Sequence, residues 1–184
     1  PGPHVESGVP YVRQQDVVDG TVRTAALGRT TPEIAAKHHR SELRSGDVLL
    51  CTIRNLRVAI VPDGLNGANI TQGMVRIRPS SEITGDYLAR YLESPQAQSW
   101  MHERYIGLAM PRINVADARD IPVPVPPVAE QALIVDRLTT FLRAADGVIE
   151  KLDRIAALLD DSYQSLLHKL FASPVPGSAL TRAL

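Results

Sequence analysis

Arg54, Asn55, Arg57, Asn66, Asn69, Thr71, Gln72, Arg76 and Arg78 share one stretch of chain. Between residues 51 and 81 the sole acidic residue is Asp63, which leaves a local balance of +3. Arginine offers a planar fork of donors that suits guanine, and asparagine or glutamine offers the paired donor and acceptor that suits adenine. Such a set could recognise hydrogen-bonding edges; it holds nothing that makes or breaks bonds. Plainer readings stand beside this one. Asn66 and Asn69 suit turns, and an excess of 17 arginines over three lysines is also what a GC-rich coding sequence produces.

Bond-making chemistry finds little support. There is no phosphate loop of the G-x-x-x-x-G-K-[ST] kind, no G-x-G-x-x-G fingerprint and no G-x-S-x-G elbow. His4, His38, His39, His102 and His168 contain no H-x-x-x-H pair, and the single cysteine, Cys51, excludes an internal disulfide framework or a multi-cysteine zinc site. Neither Lys37, Lys151 nor Lys169 follows an acidic residue by two positions, so the acidic-x-Lys pattern of nucleases is missing. Val125-Pro126-Pro127-Val128 lacks the preceding polar and following aromatic residues with which amino-methyltransferases hold a flipped base. The expectation is a chain with no catalytic site, metal or cofactor of its own. Equal numbers of basic and acidic residues, 20 each, exclude a polycation that grips nucleic acid by bulk charge. No apolar run approaches the roughly 18 residues of a membrane span. The lone cysteine and the lack of a signal peptide suit a reducing, cytoplasmic setting. The chain opens with Pro1 rather than Met, which points to a fragment or a processed chain.

The elements that must position these side chains fall into two halves, divided near Pro122–Pro127. Residues 1–126 read as one α+β domain. Val9–Arg13, Val48–Ile53, Val58–Val61 and Met74–Arg78 are strand candidates, with Arg54–Arg57 as a connecting tip. Asp19-Gly20, Gly46-Asp47, Asp63-Gly64 and Asn66-Gly67 are turns. Thr31-Pro32 opens a helix through about Arg40, Thr84–Glu93 and Ser94–Arg104 are two further helices, and Asn114–Arg119 is one helical turn. The alternating Val and Pro at 122–127 suit an extended edge strand or a polyproline spacer.

Residues 127–172 read as one helix, with Pro127 as its first residue, Glu130 at its positive end and His168 and Lys169 at its negative end. Residues 173–184 form a tail in which Pro174, Pro176 and Gly177 stop the helix. Val135, Leu138, Leu142, Ala145, Ile149, Leu152, Ala156, Leu159, Tyr163, Leu166 and Leu170 recur at alternating spacings of three and four. That is a heptad seam. Ile134, Phe141, Val148 and Ile155 widen it. Two arrangements fit: a surface helix folded onto its own domain, or an arm that pairs with a second long helix.

The order of motifs resembles the target recognition domain of type I restriction–modification specificity subunits. Gly8-Val9-Pro10-Tyr11-Val12-Arg13, Asp16, Gly20, Leu43 and Gly46-Asp47-Val48-Leu49-Leu50 carry the first part of the likeness. Ala68-Asn69-Ile70-Thr71-Gln72 leading to Ile77-Arg78-Pro79, then Tyr87-Leu88, Leu92 and Ser94-Pro95, carry the second. Ile121–Gln131 with Ile134 is similar to the family's Pro-Pro-x-x-Glu-Gln segment at the head of its long helix. The chain departs from the pattern in lacking an opening Trp-containing segment, in having no glycine at the Arg54–Arg57 tip, and in its Phe171-Ala172-Ser173-Pro174 ending. The family carries two recognition domains and two long helices, so the likeness implies a piece of a subunit or a half-subunit that pairs.

What the resemblance implies is a mixed-sheet recognition domain with short helices, followed by one long coiled-coil helix. It implies a subunit that reads one half of a bipartite double-stranded DNA site and positions methyltransferase and restriction subunits. S-adenosylmethionine, ATP and Mg would then belong to those partners. Arg13, Gln14, Arg54, Asn55, Arg57, Asn69, Gln72 and Arg112 are the expected DNA-contacting residues, and the heptad seam is expected to join a second specificity half or a second copy. Two rivals are the specificity end of a fused restriction–methylation enzyme and a coiled-coil adaptor with no DNA role.

Overall fold

A computed structural model describes residues 4–172. The chain forms two compact units, residues 1–135 and 136–184. Its elements are β1 (Val9–Val12), β2 (Val17–Val18), β3 (Thr21–Val22), β4 (Gly28–Thr30), α1 (Pro32–Lys37), β5 (Val48–Cys51), β6 (Val58–Ile60), β7 (Asn69–Ile70), β8 (Met74–Ile77), α2 (Gly85–Leu92), α3 (Pro95–His102), α4 (Val115–Arg119) and α5 (Val128–Ala172). The class is α+β: small mixed sheets with short helices, then one long helix.

β5 organises the first unit. Its four residues, Val-Leu-Leu-Cys, are each 0% exposed. Side chains alternate across a strand. Val48 and Leu50 therefore face a core with Val58, Leu88, Leu92, Met101 and Ile113, drawn from α2, α3 and the segments beside them. Leu49 and Cys51 face a second core with Val12, Val17, Leu43, Ala59, Val61 and Met74. Burial pushes the Cys51 thiol up to about 11 against the opposing pull of Arg57, so it is an inert apolar filler at neutral pH. β5 pairs antiparallel with β6 on one side and β8 on the other, with Leu49 opposite Ala59 and Arg76. A second sheet has the order β4-β1-β7, with β1 antiparallel to β4 and parallel to β7. β2 and β3 form a hairpin whose turn, Asp19-Gly20, holds both φ angles positive.

Capping explains the helix starts. Thr31, Thr84 and Ser94 each accept the backbone N–H three residues on, from Ile34, Tyr87 and Ala97. α1 ends at Lys37 rather than near Arg40, because His38 turns out of helical geometry (φ −109°, ψ 30°) and a 3₁₀ turn follows at His39–Ser41. The 122–127 stretch forms no strand. Instead, three alternate proline carbonyls accept side-chain donors: Tyr91 Oη to Pro122 at 2.7 Å, Tyr87 Oη to Pro124 at 3.0 Å and Gln131 Nε2 to Pro126 at 2.8 Å.

α5 begins at Val128, with Pro127 contributing its carbonyl to the N–H of Glu130 and Gln131 rather than standing as the first helical residue. Its first turns belong to the first unit. There Gln131, 0% exposed, accepts from Thr84 N–H at 2.8 Å and donates to the Glu82 and Pro126 carbonyls. The helix then runs unbroken for 45 residues, about 67 Å long at 1.5 Å per residue. Its seam is uncovered: Leu138, Leu142, Ile149, Leu152, Leu159, Tyr163, Leu166 and Leu170 are all exposed, as are Phe141, Val148 and Ile155. The helix-stopping residues Pro174, Pro176 and Gly177 lie outside the described residues.

The Gly46-Asp47 turn is held by charge. Asp47, 2% exposed, accepts from Arg44 N–H and takes both donors of the Arg78 fork at 2.8 Å. Burial alone raises its pKa, but Arg78 and the Arg44 N–H outweigh that, and the net value falls below the ordinary 3.8. The contribution is therefore complete above that ordinary value and is lost as pH drops through the lower folded one. Asp47→Ala is expected to cost about 2–3 kcal/mol at neutral pH. It should also flatten the loss of stability on acidification. Urea unfolding of both proteins between pH 7 and 3 checks both effects.

Candidate nucleic-acid interface

One end of the first unit gathers four loops. β1 and β5 end there, β7 runs into it through Thr71–Gly73, and β8 leaves it. Hydrogen bonds stitch the loops together. Gln14 Nε2 donates to Gly73 O at 2.6 Å, Arg57 Nη2 to Gln14 O at 2.8 Å, and Arg54 N–H to Pro111 O at 2.8 Å. Ile53 and Arg112 form a β-bridge, and Tyr105 Oη donates to Arg54 O at 3.0 Å. Gly73 has φ +87°, and a Cβ there would run into Gln14 Nε2 and Ile53 Cδ1, so the Gln14 tether needs glycine at this position.

The expected DNA-contacting residues separate by what their side chains already hold. Arg54, Asn55, Gln72 and Arg112 are exposed around the stitched loops. Arg13 is committed: its fork grips Asp16 at 3.0 Å through both Nε and Nη2, while Asp16 also accepts Arg13 N–H. The bond to Asp16 raises the Arg13 pKa further above its ordinary value. Gln14 and Arg57 are part-buried stitches, and Arg57 Nε has no partner among the described residues. Asn69 stands apart. It is 6% exposed, and its amide donates to His38 O and Ser41 Oγ at 2.9 Å. Together with Gln72, Tyr11 and Thr30, it lines a cavity of about 430 Å³.

Arg54 has a positive φ of 63°. That region costs an ordinary residue about 1–2 kcal/mol. It is maintained because the Arg54 N–H and C=O are bonded to two different partners, Pro111 and Tyr105. A left-handed backbone that glycine would take freely thus carries an arginine side chain here.

A second basic surface follows the edge of β8. Arg40, Arg76, Arg78 and Arg119 border an open groove of about 580 Å³ whose apolar lining includes Leu88, Leu92 and Val115. Arg76 Nη1 is tied to Glu42 O at 2.7 Å, and Arg78 is held by Asp47. Arg40 and Arg119 are exposed. Sequence reasoning did not single out these two, since nothing local links residues 79 positions apart. Among the described residues no group of three or more His, Cys, Asp or Glu side chains could hold a metal ion, and no helix is long and apolar enough to cross a membrane.

Substituting Arg54→Gly relieves the strained backbone, which offsets the ordinary penalty of glycine. Stability is expected to stay level or rise by up to about 1 kcal/mol, whereas Arg54→Val should lower it by about 1–2 kcal/mol. Urea midpoints of the three proteins test this.

A family model described as a type I restriction modification DNA specificity domain matches residues 6–157. The type I restriction enzyme EcoBI specificity subunit of Escherichia coli is 30% identical over 173 residues, which is 93% of this chain and 36% of that protein. The EcoDI specificity subunit of the same organism is 30% identical over 92 residues, 50% of this chain and 21% of that protein. Among solved structures, the HsdS subunit from Thermoanaerobacter tengcongensis shares the fold with a TM-score of 0.66 at 22% identity, covering 94% of this chain and 45% of that one. The chain thus spans less than half the length of these relatives.

Proposed function

The chain belongs to the type I restriction modification DNA specificity family, and on that premise we propose that it reads one half of a bipartite double-stranded DNA site without catalysing a reaction itself. The observation that carries this reading is the stitched loop end, where Arg54, Asn55, Gln72 and Arg112 are exposed on a frame held by Gln14, Arg57 and Gly73. Arginine and amide side chains set on a rigid base are what direct readout of guanine and adenine edges requires. In this reading Gln14 and Arg57 build the frame, Arg13 and Asn69 are committed to contacts within the domain, and Arg54, Asn55, Gln72 and Arg112 meet the bases. The arginine-lined groove along β8 suits phosphates, which position a protein on the duplex without carrying sequence information.

The remaining parts of the proposal follow from the helix and from the family. The uncovered seam, Val135 through Leu170, pairs with the helix of a second specificity half or of a second copy. Helix length then sets the spacing of half-sites, as dimer geometry does in other DNA readers. Methyltransferase and restriction subunits supply the chemistry and hold S-adenosylmethionine, ATP and Mg, and the assembly works in the cytoplasm.

Mapping methylated positions in host DNA with and without the gene tests the central claim. Loss of one bipartite methylation pattern when the gene is absent is the expected result. Replacing Arg54, Asn55 and Arg112 with alanine should relax individual base positions in that pattern, each by about 1–3 kcal/mol of discrimination. An unaltered pattern in the triple variant excludes the stitched loop end as the reader. For the helix, Leu152→Glu is expected to abolish association through α5 in analytical ultracentrifugation, since a charge replaces a seam residue 58% exposed in the single chain.

A further inference from the structure

Ile106–Arg112 is an apolar loop held in place. Ile106 N–H donates to Arg112 O at 2.9 Å, and Arg112 N–H donates back to Ile106 O at 3.0 Å. Its base is pinned by Arg54 N–H to Pro111 O and by Ile113 N–H to Thr52 O at 3.0 Å. Gly107 takes φ +87° inside it. Yet its apolar side chains are only partly covered, and the tip not at all: Leu108 is 106% exposed, Met110 48% and Ile106 41%. From Ile106 to Pro111 the sequence is Ile-Gly-Leu-Ala-Met-Pro, without one side-chain donor or acceptor. Exposed arginines, Arg54 and Arg112, stand at its feet.

Apolar side chains held in water on a fixed loop mark a contact surface. The flanking guanidinium groups make the fitting partner an anion, and the proposed function makes that anion duplex DNA. Almost every group on a base edge is a donor or acceptor, and leucine pressed against one would leave it unpaired. The largest apolar group there is the C5-methyl of thymine in the major groove. We propose that Leu108 reads a thymine methyl within the half-site, with Arg54 and Arg112 on either side of it. This rests on the DNA-reading function above and adds a base identity to it.

The test uses the assembled complex containing this chain and the duplex identified by methylation mapping. Each thymine of the half-site is replaced in turn by deoxyuridine, which keeps every hydrogen-bonding group and removes only the methyl. At one position the wild-type Kd is expected to rise about fourfold, the worth of one buried methyl group. Leu108→Ser, a change at a fully exposed position, should weaken binding to the thymine duplex and be indifferent to deoxyuridine at that same position. Any of these results overturns the proposal: a half-site without thymine, no position sensitive to deoxyuridine, or losses from L108S and deoxyuridine that multiply independently. An L108S complex that binds DNA normally but sheds a protein subunit also overturns it, by assigning the loop to a protein partner. A wild-type complex that shows no sequence preference at all counts instead against the DNA-reading function itself, which separates the two failures.

Discussion

Val48–Cys51 has no face toward water, and most of the first unit follows from that constraint. A strand buried on both sides needs cover on both, so the sheet β6-β5-β8 carries α2 and α3 on one face and the β1-containing sheet on the other. Strand polarity then decides where the connections emerge. β1, β5 and β7 finish at one end and β8 starts there, so the segments 13–16, 52–57, 71–73 and 106–112 meet although they are far apart in the chain. Shifting β5 by one residue would exchange its two faces and separate these loops. The stitched loop end is thus a by-product of which four apolar residues lie side by side.

The opposite end of β5 has its own fixed point. Asp47 closes the turn into the strand, and close by in sequence to α2, Thr84 N–H is taken up by Gln131. The Pro-rich stretch between α4 and α5 lacks an amide donor at every proline, so it cannot join a sheet as a central strand. Its carbonyls still need partners. Two tyrosines of α2 and the Gln131 amide provide them, which gives the Glu-Gln pair after the prolines a physical meaning. Glutamine there satisfies one N–H and two carbonyls at once; glutamate could not donate to the two carbonyls when ionised.

Long-period features were legible in the sequence and short ones were not. The seam of α5 repeats over eleven positions, and the Thr31-Pro32 and Ser94-Pro95 caps are local chemistry, so their placement follows from neighbouring residues. β2, β3, β4 and β7 are two or three residues long, too short for an alternation to show. β4 and β7 flank the longer β1, and β2 and β3 pair with each other. Of the site, the basic and amide content was visible, but its division into frame and surface was not. The Arg13–Asp16 pair, three residues apart, could have been anticipated, while the bonds from Gln14 to Gly73 and from Arg54 to Pro111 depend on the tertiary fold. The 106–111 loop misleads in the other direction. Isoleucine, leucine and methionine in a row of apolar residues suggest a core segment, and only the backbone closure at Ile106 and Arg112 reveals that they point outward.

The bare stripe along α5 ties the usable amount of this protein to supply. A surface that gains free energy by leaving water is satisfied by whatever apolar surface is nearest. If the proposed pairing holds, copies made in excess of the matching helix would be left with that stripe in water, and their stability would vary with concentration rather than being a constant of the polypeptide. Balanced production would then be a requirement written into a single side of one helix.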